Sequence, residues 1–205
     1  MPPINPTAVA IRGEPLRQRV LDAAEALLRV GEADFSMRDL AAKAQVSFAT
    51  PFNQFGGKPA LMQALSTRRI KRMEDRFSLA SPLPEARDRI LLAVEIATAV
   101  MLDEADVNRV VMGWLGSDGH PGGTLEQSAA LWRLALGAGE GLNPARRDVA
   151  LQRLPVQLAL AFRGALSFWT AGELRDDALE PTAREMAESL LLGYIDGKAI
   201  ADPGI

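Results

Sequence analysis

From Pro15 to Gly31 the apolar positions Leu16, Val20, Ala24, Leu27 and Gly31 recur every three or four residues. That spacing puts them on one stripe of an α-helix and leaves Arg17, Arg19, Asp22, Glu25 and Arg29 for solvent. Pro15 suits a first helical turn and Gly31 a stop. The same period runs through almost all of the 205 residues, and no stretch alternates apolar with polar in the manner of a half-buried strand. The expected fold class is all-α.

The breaks between periodic stretches divide the chain. Ser36 can cap a second helix, with Asp39 three residues on completing a capping box, and Leu40, Ala41 and Ala44 supply its small apolar face. A break at Gln45-Val46 follows. Ser47 can cap a short third helix through Thr50 and Asn53, which Gly56-Gly57 ends. A fourth helix is expected from about Lys58 towards Leu79, stopping before Ser81-Pro82-Leu83-Pro84. Longer helices follow over about 85–102, 104–115, 124–138, 144–172 and 181–196. The loop 116–123 has four Gly in eight residues and holds the chain's single His, His120, read as an exposed loop residue. The expected organisation is a flexible arm over 1–14, a helix-turn-helix domain with its linking helix over 15–80, and a helical domain over 85–205.

Composition narrows the function. With no Cys there is no thiol nucleophile, disulfide framework or Cys-based metal site. No cofactor or metal is expected. No nucleotide-binding Gly signature opens a helix, and no pair of carboxylates has a spacing that singles it out, so an enzyme is not expected. The first ten residues have neither a basic start nor a long apolar run, so the cytoplasm is the expected compartment. The most apolar stretch, 154–172, contains Pro155, Gln157 and Arg163, and is expected to be a buried helix rather than a membrane span. Net charge is only −3, but it is unevenly placed. Residues 1–80 hold 12 Lys+Arg against 8 Asp+Glu, a balance of +4, and residues 81–205 hold 11 against 18, a balance of −7. A basic end on an acidic body hints at nucleic-acid or membrane contact at that end.

Two short helices with small facing residues and a tight turn form a helix-turn-helix, whose second helix enters the major groove. The string FSMRDLAAKAQVSFATPFNQFGGKPALMQAL, residues 35–65, resembles the DNA-binding region of the TetR family of bacterial transcriptional regulators. Ser36, Leu40-Ala41 and Ala44-Gln45-Val46-Ser47 stand for the family's T-x-x-x-I-A-x-x-A-G-V-S. Thr50 and Phe55 match its recognition helix, and Lys58 and Leu61 match the K-x-x-L that opens its fourth helix. Phe52 replaces the family's Tyr, Pro51 lies inside the recognition helix, and Gly56-Gly57 replace the usual helix-opening residue.

The resemblance implies a homodimer that binds a double-stranded, palindromic operator, with no membrane partner. It implies a repressor, released when a small, mostly apolar effector reorients the two DNA-binding domains. Ser47 opens the reading helix. Thr50, Asn53 and Gln54 can reach bases, and Asn and Gln can read adenine bidentately. Phe48 and Ala49 can meet thymine methyls, though Phe48 equally suits the local core. Arg38 and Lys58 are phosphate candidates, or else solvated surface charges. Val46, Phe52 and Phe55 are assigned to the core, and the basic run 68–72 to a solvated face or an interdomain contact. In the second domain the family pattern implies an effector pocket, with Met101, Met112, Trp114, Leu131, Trp132 and Phe162 as candidate walls. It also implies a dimer seam with Gly164, Ala165, Phe168, Trp169, Met186, Leu190, Gly193 and Tyr194. The alternatives are a dimer without a small ligand, and a helical ligand-binding or adaptor protein whose helix-turn-helix has lost DNA affinity; Pro51 and Phe52 keep the second open.

Overall fold

In a computed structural model that describes residues 6–115 and 123–195, with side chains from Glu14 onward, every regular element among the described residues is an α-helix. They are α1 (Pro6–Arg29), α2 (Met37–Lys43), α3 (Ala49–Phe55), α4 (Lys58–Leu79), α5 (Ala86–Leu102), α6 (Ala105–Trp114), α7 (Thr124–Leu136), α8 (Arg147–Thr170) and α9 (Asp176–Leu191). The ends of α5, α6 and α7 fall within two residues of those read from periodicity. His120 and the centre of its Gly-rich loop lie outside the described residues.

Three boundaries differ from expectation. α1 starts at Pro6, so residues 6–14 are helical rather than an arm, and Pro15 lies inside the helix. Pro6 takes the first-turn position, where a missing N–H costs no hydrogen bond. α3 spans Ala49–Phe55 rather than starting at Ser47. α9 starts at Asp176 rather than Pro181. The paired carboxylates of Asp176 and Asp177 occupy its first turn, where the helix dipole favours them, and Pro181 falls inside.

The chain groups into two compact units. One holds the described residues up to 65 together with 106–115; the other holds 66–105 together with 123–195. In the first unit Val20, Ala24, Leu27, Phe35, Leu40, Phe55, Leu61 and Leu65 pack with Val107 and Val111 of α6 into one apolar cluster. α1 keeps its predicted stripe, but Glu25, expected in solvent, is buried and pairs with the exposed Arg29 at 3.3 Å.

In the second unit α5 packs on α7 and α9, and α8 packs on the same two helices, giving a ring of four. Its core includes Ile90, Met101, Leu131, Trp132, Leu154, Leu158, Trp169 and Leu179. Among the described residues no helix is long and apolar enough to cross a membrane. Arg69, read as part of a solvated or interdomain basic run, is buried in this unit with Glu104 at 4.0 Å.

One side chain ties this unit's loops together. The Arg89 guanidinium donates to the carbonyl oxygens of Ala135 (2.9 Å) and Leu136 (2.9 Å) at the end of α7, to those of Leu83 (3.0 Å) and Pro84 (2.7 Å), and to the Glu140 carboxylate. The Pro-rich stretch is thus pinned to the end of α7. Replacing Arg89 by Ala strips a charged partner from four carbonyls, and we expect a loss of about 2–4 kcal/mol. Chemical denaturation of the variant checks this; a loss below about 1 kcal/mol would make the clamp incidental.

Candidate nucleic-acid interface

α2 is held at both ends by local chemistry. The Ser36 hydroxyl accepts from the Asp39 N–H (3.2 Å), while the Ser36 N–H donates to the Asp39 carboxylate (2.8 Å), completing the capping box. The Ser36 hydroxyl also donates to the Asp39 carboxylate (2.7 Å); this bond first, and the Ser36 N–H second, hold the Asp39 carboxyl below its ordinary range. At the other end the Gln45 N–H donates to Ala42 O (3.1 Å) and the Val46 N–H to Ala41 O (3.0 Å). This is a Schellman stop, with Gln45 at φ +54° in the left-handed region. Gln45 stands where the family pattern has Gly, so the turn is made with a residue that its conformation disfavours.

α3 distributes its side chains unlike the sequence expectation. Pro51 and Phe55 are buried and face the core of the unit. Phe52, expected in that core, is 41% exposed, and Phe48 is 54% exposed. The reason is register: Phe48 and Phe52 are four apart and share one face, while Pro51 and Phe55 share the opposite one. Pro51 therefore serves as an apolar core residue within an intact helix, and Val46 is only half-buried at the core's edge. Ala49 and Asn53 lie on the exposed side with the two aromatics, and Thr50 and Gln54 are half-buried beside them. Ser47 is exposed but does not cap the helix as expected; its hydroxyl meets that of Thr50 at 2.8 Å, and Phe48 takes the N-cap place without a side-chain bond.

Two cations expected at the surface are fastened inside the unit. Arg17 donates to the Gln54 carbonyl at 2.9 Å near the end of α3, and its guanidinium lies 4.3 Å from the centre of the Phe55 ring. The Lys58 ammonium donates to Ala33 O (2.8 Å) and Phe35 O (2.9 Å). It also lies 4.4 Å from the centre of the Phe35 ring and 5.2 Å from that of Trp114. Burial pushes its pKa down, with the Asp34 carboxylate pulling the other way. Two of its three donors are thus committed within the unit. Arg38 is exposed beside this face, with its guanidinium 5.5 Å from the centre of the Phe48 ring.

Solved structures share this fold. A TetR transcriptional regulator from Rhodococcus sp. RHA1 superposes with a TM-score of 0.69 at 20% identity, covering 87% of this chain and 97% of its own. The fold is that of TetR transcriptional regulators. A putative regulator from Streptomyces coelicolor A3(2) superposes at 0.55, with 22% identity over 86% of this chain and 95% of its own. A putative TetR-family regulator from Mesorhizobium loti MAFF303099 gives 0.53 and 18% over 90% and 99%. No family model and no curated protein matches the sequence.

In the rest of this TetR fold the candidate residues divide. Met101, Leu131, Trp132 and Phe162 are all buried in the second unit, with Trp132 and Phe162 edge-to-face at 5.7 Å. The Trp132 indole N–H is buried with no acceptor among the described residues. Met112 and Trp114, proposed from sequence for the same pocket wall, group with the first unit instead, and Trp114 packs against its core. Of the seam candidates, Phe168 is exposed and Gly164 is half-buried with open space around its Cα. Gly193 is exposed and Met186, Leu190 and Tyr194 are half-buried, with the Gly193 and Tyr194 carbonyls accepting from Arg146 and from the Asn143 N–H. Trp169 and Ala165, seam candidates from sequence, are buried within the chain itself, and Trp169 donates to Asp176 at 2.8 Å.

Gln45→Gly should relieve the left-handed strain and stabilise the chain by about 0.5–1 kcal/mol, net of the greater freedom of Gly when unfolded; no gain in thermal midpoint would refute the strain. Lys58→Met keeps the stem and removes the ammonium, leaving two carbonyls unpaired. It should cost about 1–3 kcal/mol in denaturation, and a neutral variant would deny Lys58 its anchoring role.

Proposed function

We propose that the chain is a DNA-binding transcriptional regulator that works as a homodimer, a repressor released from a palindromic operator by a small, mostly apolar effector. The observation that carries this reading is the exposed, uncharged face of α3, backed by the buried Pro51 and Phe55 and flanked by the exposed cation of Arg38. On a TetR fold that face is the one a major groove receives, with base edges read by Phe48, Ala49, Thr50, Asn53 and Gln54. Ser47 and Arg38 reach phosphates, and Lys58 supports the domain from within. The reading part is the helix-turn-helix of the first unit and the regulatory part belongs to the second; residues 66–80, with their basic run, group with the second unit rather than with the reading part.

Two features of the second unit support the remaining parts. Leu160, Gly164 and Phe168 recur every fourth residue on the outer face of α8, with both large residues more than half exposed, as suits a helix that pairs with a second copy. The Trp132 N–H, buried without an acceptor beside Phe162, offers an effector one directional hydrogen bond in apolar surroundings. Pro51, which kept the adaptor alternative open, is absorbed into the core without breaking α3.

Selection of operators from random duplexes by the purified full chain tests the proposal. The expected product is a palindrome with half-sites about 34–36 Å apart, bound by two chains per duplex in sedimentation. Arg38→Ala should flatten the slope of log affinity against log salt by about 0.9 for each phosphate it no longer neutralises, and Lys58→Met should leave that slope unchanged. A pool that enriches no sequence, or one chain per duplex, would overturn the regulator reading.

A further inference from the structure

Phe48 and Phe52 form an aromatic pair on the outside of the molecule. Their ring centres are 5.4 Å apart and their planes meet at 65°, an edge-to-face contact. Neither can retreat: with Pro51 and Phe55 anchored in the core, rotating α3 to hide the pair would expose those two instead. Burying such rings is favourable, so two rings left in water mark a surface built to be covered. What covers it is indicated by the charges around it. α3 carries none, and the side chain stacked over Phe48 is the Arg38 guanidinium, which calls for an anionic partner.

Duplex DNA meets both requirements. Its major groove displays hydrogen-bonding edges and one apolar group, the C5-methyl of thymine. The ring spacing of 5.4 Å corresponds to between one and two base-pair steps of about 3.4 Å. We propose that Phe48 and Phe52 read the methyl groups of two neighbouring thymines in each operator half-site, while Arg38 fixes the adjacent phosphate. This rests on the DNA-regulator reading above and adds the chemistry of its specificity. The usual Tyr hydroxyl is absent at residue 52, so that side chain has only an apolar surface to offer the groove. Sequence preference then comes from shape and methyl contact at these positions, with hydrogen bonds from Asn53 and Gln54 at others.

The test uses the full chain and the operator it selects. Each thymine of that operator is replaced singly by deoxyuridine, which removes the methyl and keeps every hydrogen-bonding group. At two positions per half-site the dissociation constant should rise about four-fold, the worth of one buried methyl-sized group. Phe52→Ala and Phe48→Ala should each abolish the thymine-over-deoxyuridine preference at one of those positions. Phe52→Leu, still apolar, should retain part of it. Both residues are more than 40% exposed, so these variants should keep the wild-type thermal midpoint. Two results would overturn the proposal while the regulator reading stands: equal affinity for the thymine and deoxyuridine operators, or a preference unchanged in both Ala variants. Failure to select any operator would overturn both.

Discussion

At the start of α4 the Lys58 ammonium joins pieces of chain that are distant in sequence. It donates to two carbonyls of the α1–α2 connection and lies against the rings of Phe35 and, on α6, Trp114. A half-buried cation is tolerable only with such partners, and carbonyl oxygens and ring faces both present it with negative charge. The consequence is geometric. Residues 36–57, which include both helices of the helix-turn-helix, form a loop closed at its base by this one group. Whatever α2 and α3 present outward is therefore presented from a fixed frame.

Within that frame α3 is fastened on its inner side and its far end. Pro51 and Phe55 enter the core, Arg17 takes the carbonyl of Gln54, and Gly56 turns the chain at φ +75°. A short helix with no side-chain cap and no charge has little stability of its own. Its order comes from these contacts, which is why its outer face can be given over to Phe48, Ala49, Phe52 and Asn53. The left-handed Gln45 has the same character: the Schellman bonds and the burial of Leu40 beside Val46 hold a conformation that the residue alone would avoid.

Much of the helical layout is legible in the sequence, because apolar spacing and capping residues are local signals. Ser36 with Asp39, Gly31 after α1, and the ends of α5 to α7 all follow from groups within a few residues of one another. The candidate site is less legible. Phe52 reads as inward because Phe is apolar, yet the four-residue period that places it with Phe48 is present, and so is the opposite pairing of Pro51 with Phe55. That phase relation is the signal that corrects it. No such signal exists for Lys58, Arg17 or Arg89, whose acceptors are backbone carbonyls 5 to 47 residues away. Any residue supplies a carbonyl, so nothing in the composition of those segments announces the bond.

The sequence by itself determined an all-helical chain, the positions of most helix ends and the pattern of a helix-turn-helix, since each depends on periodicity and on caps that act over one turn. Tertiary structure alone decided which cations are anchors and which face solvent. It also grouped Met112 and Trp114 of α6 with the first unit, where Trp114 packs against the core, and closed Trp169 inside the chain's own core. These outcomes turn on which apolar faces meet and which carbonyls a long side chain can reach. Both are settled by packing between segments far apart in the chain, where local propensity is silent.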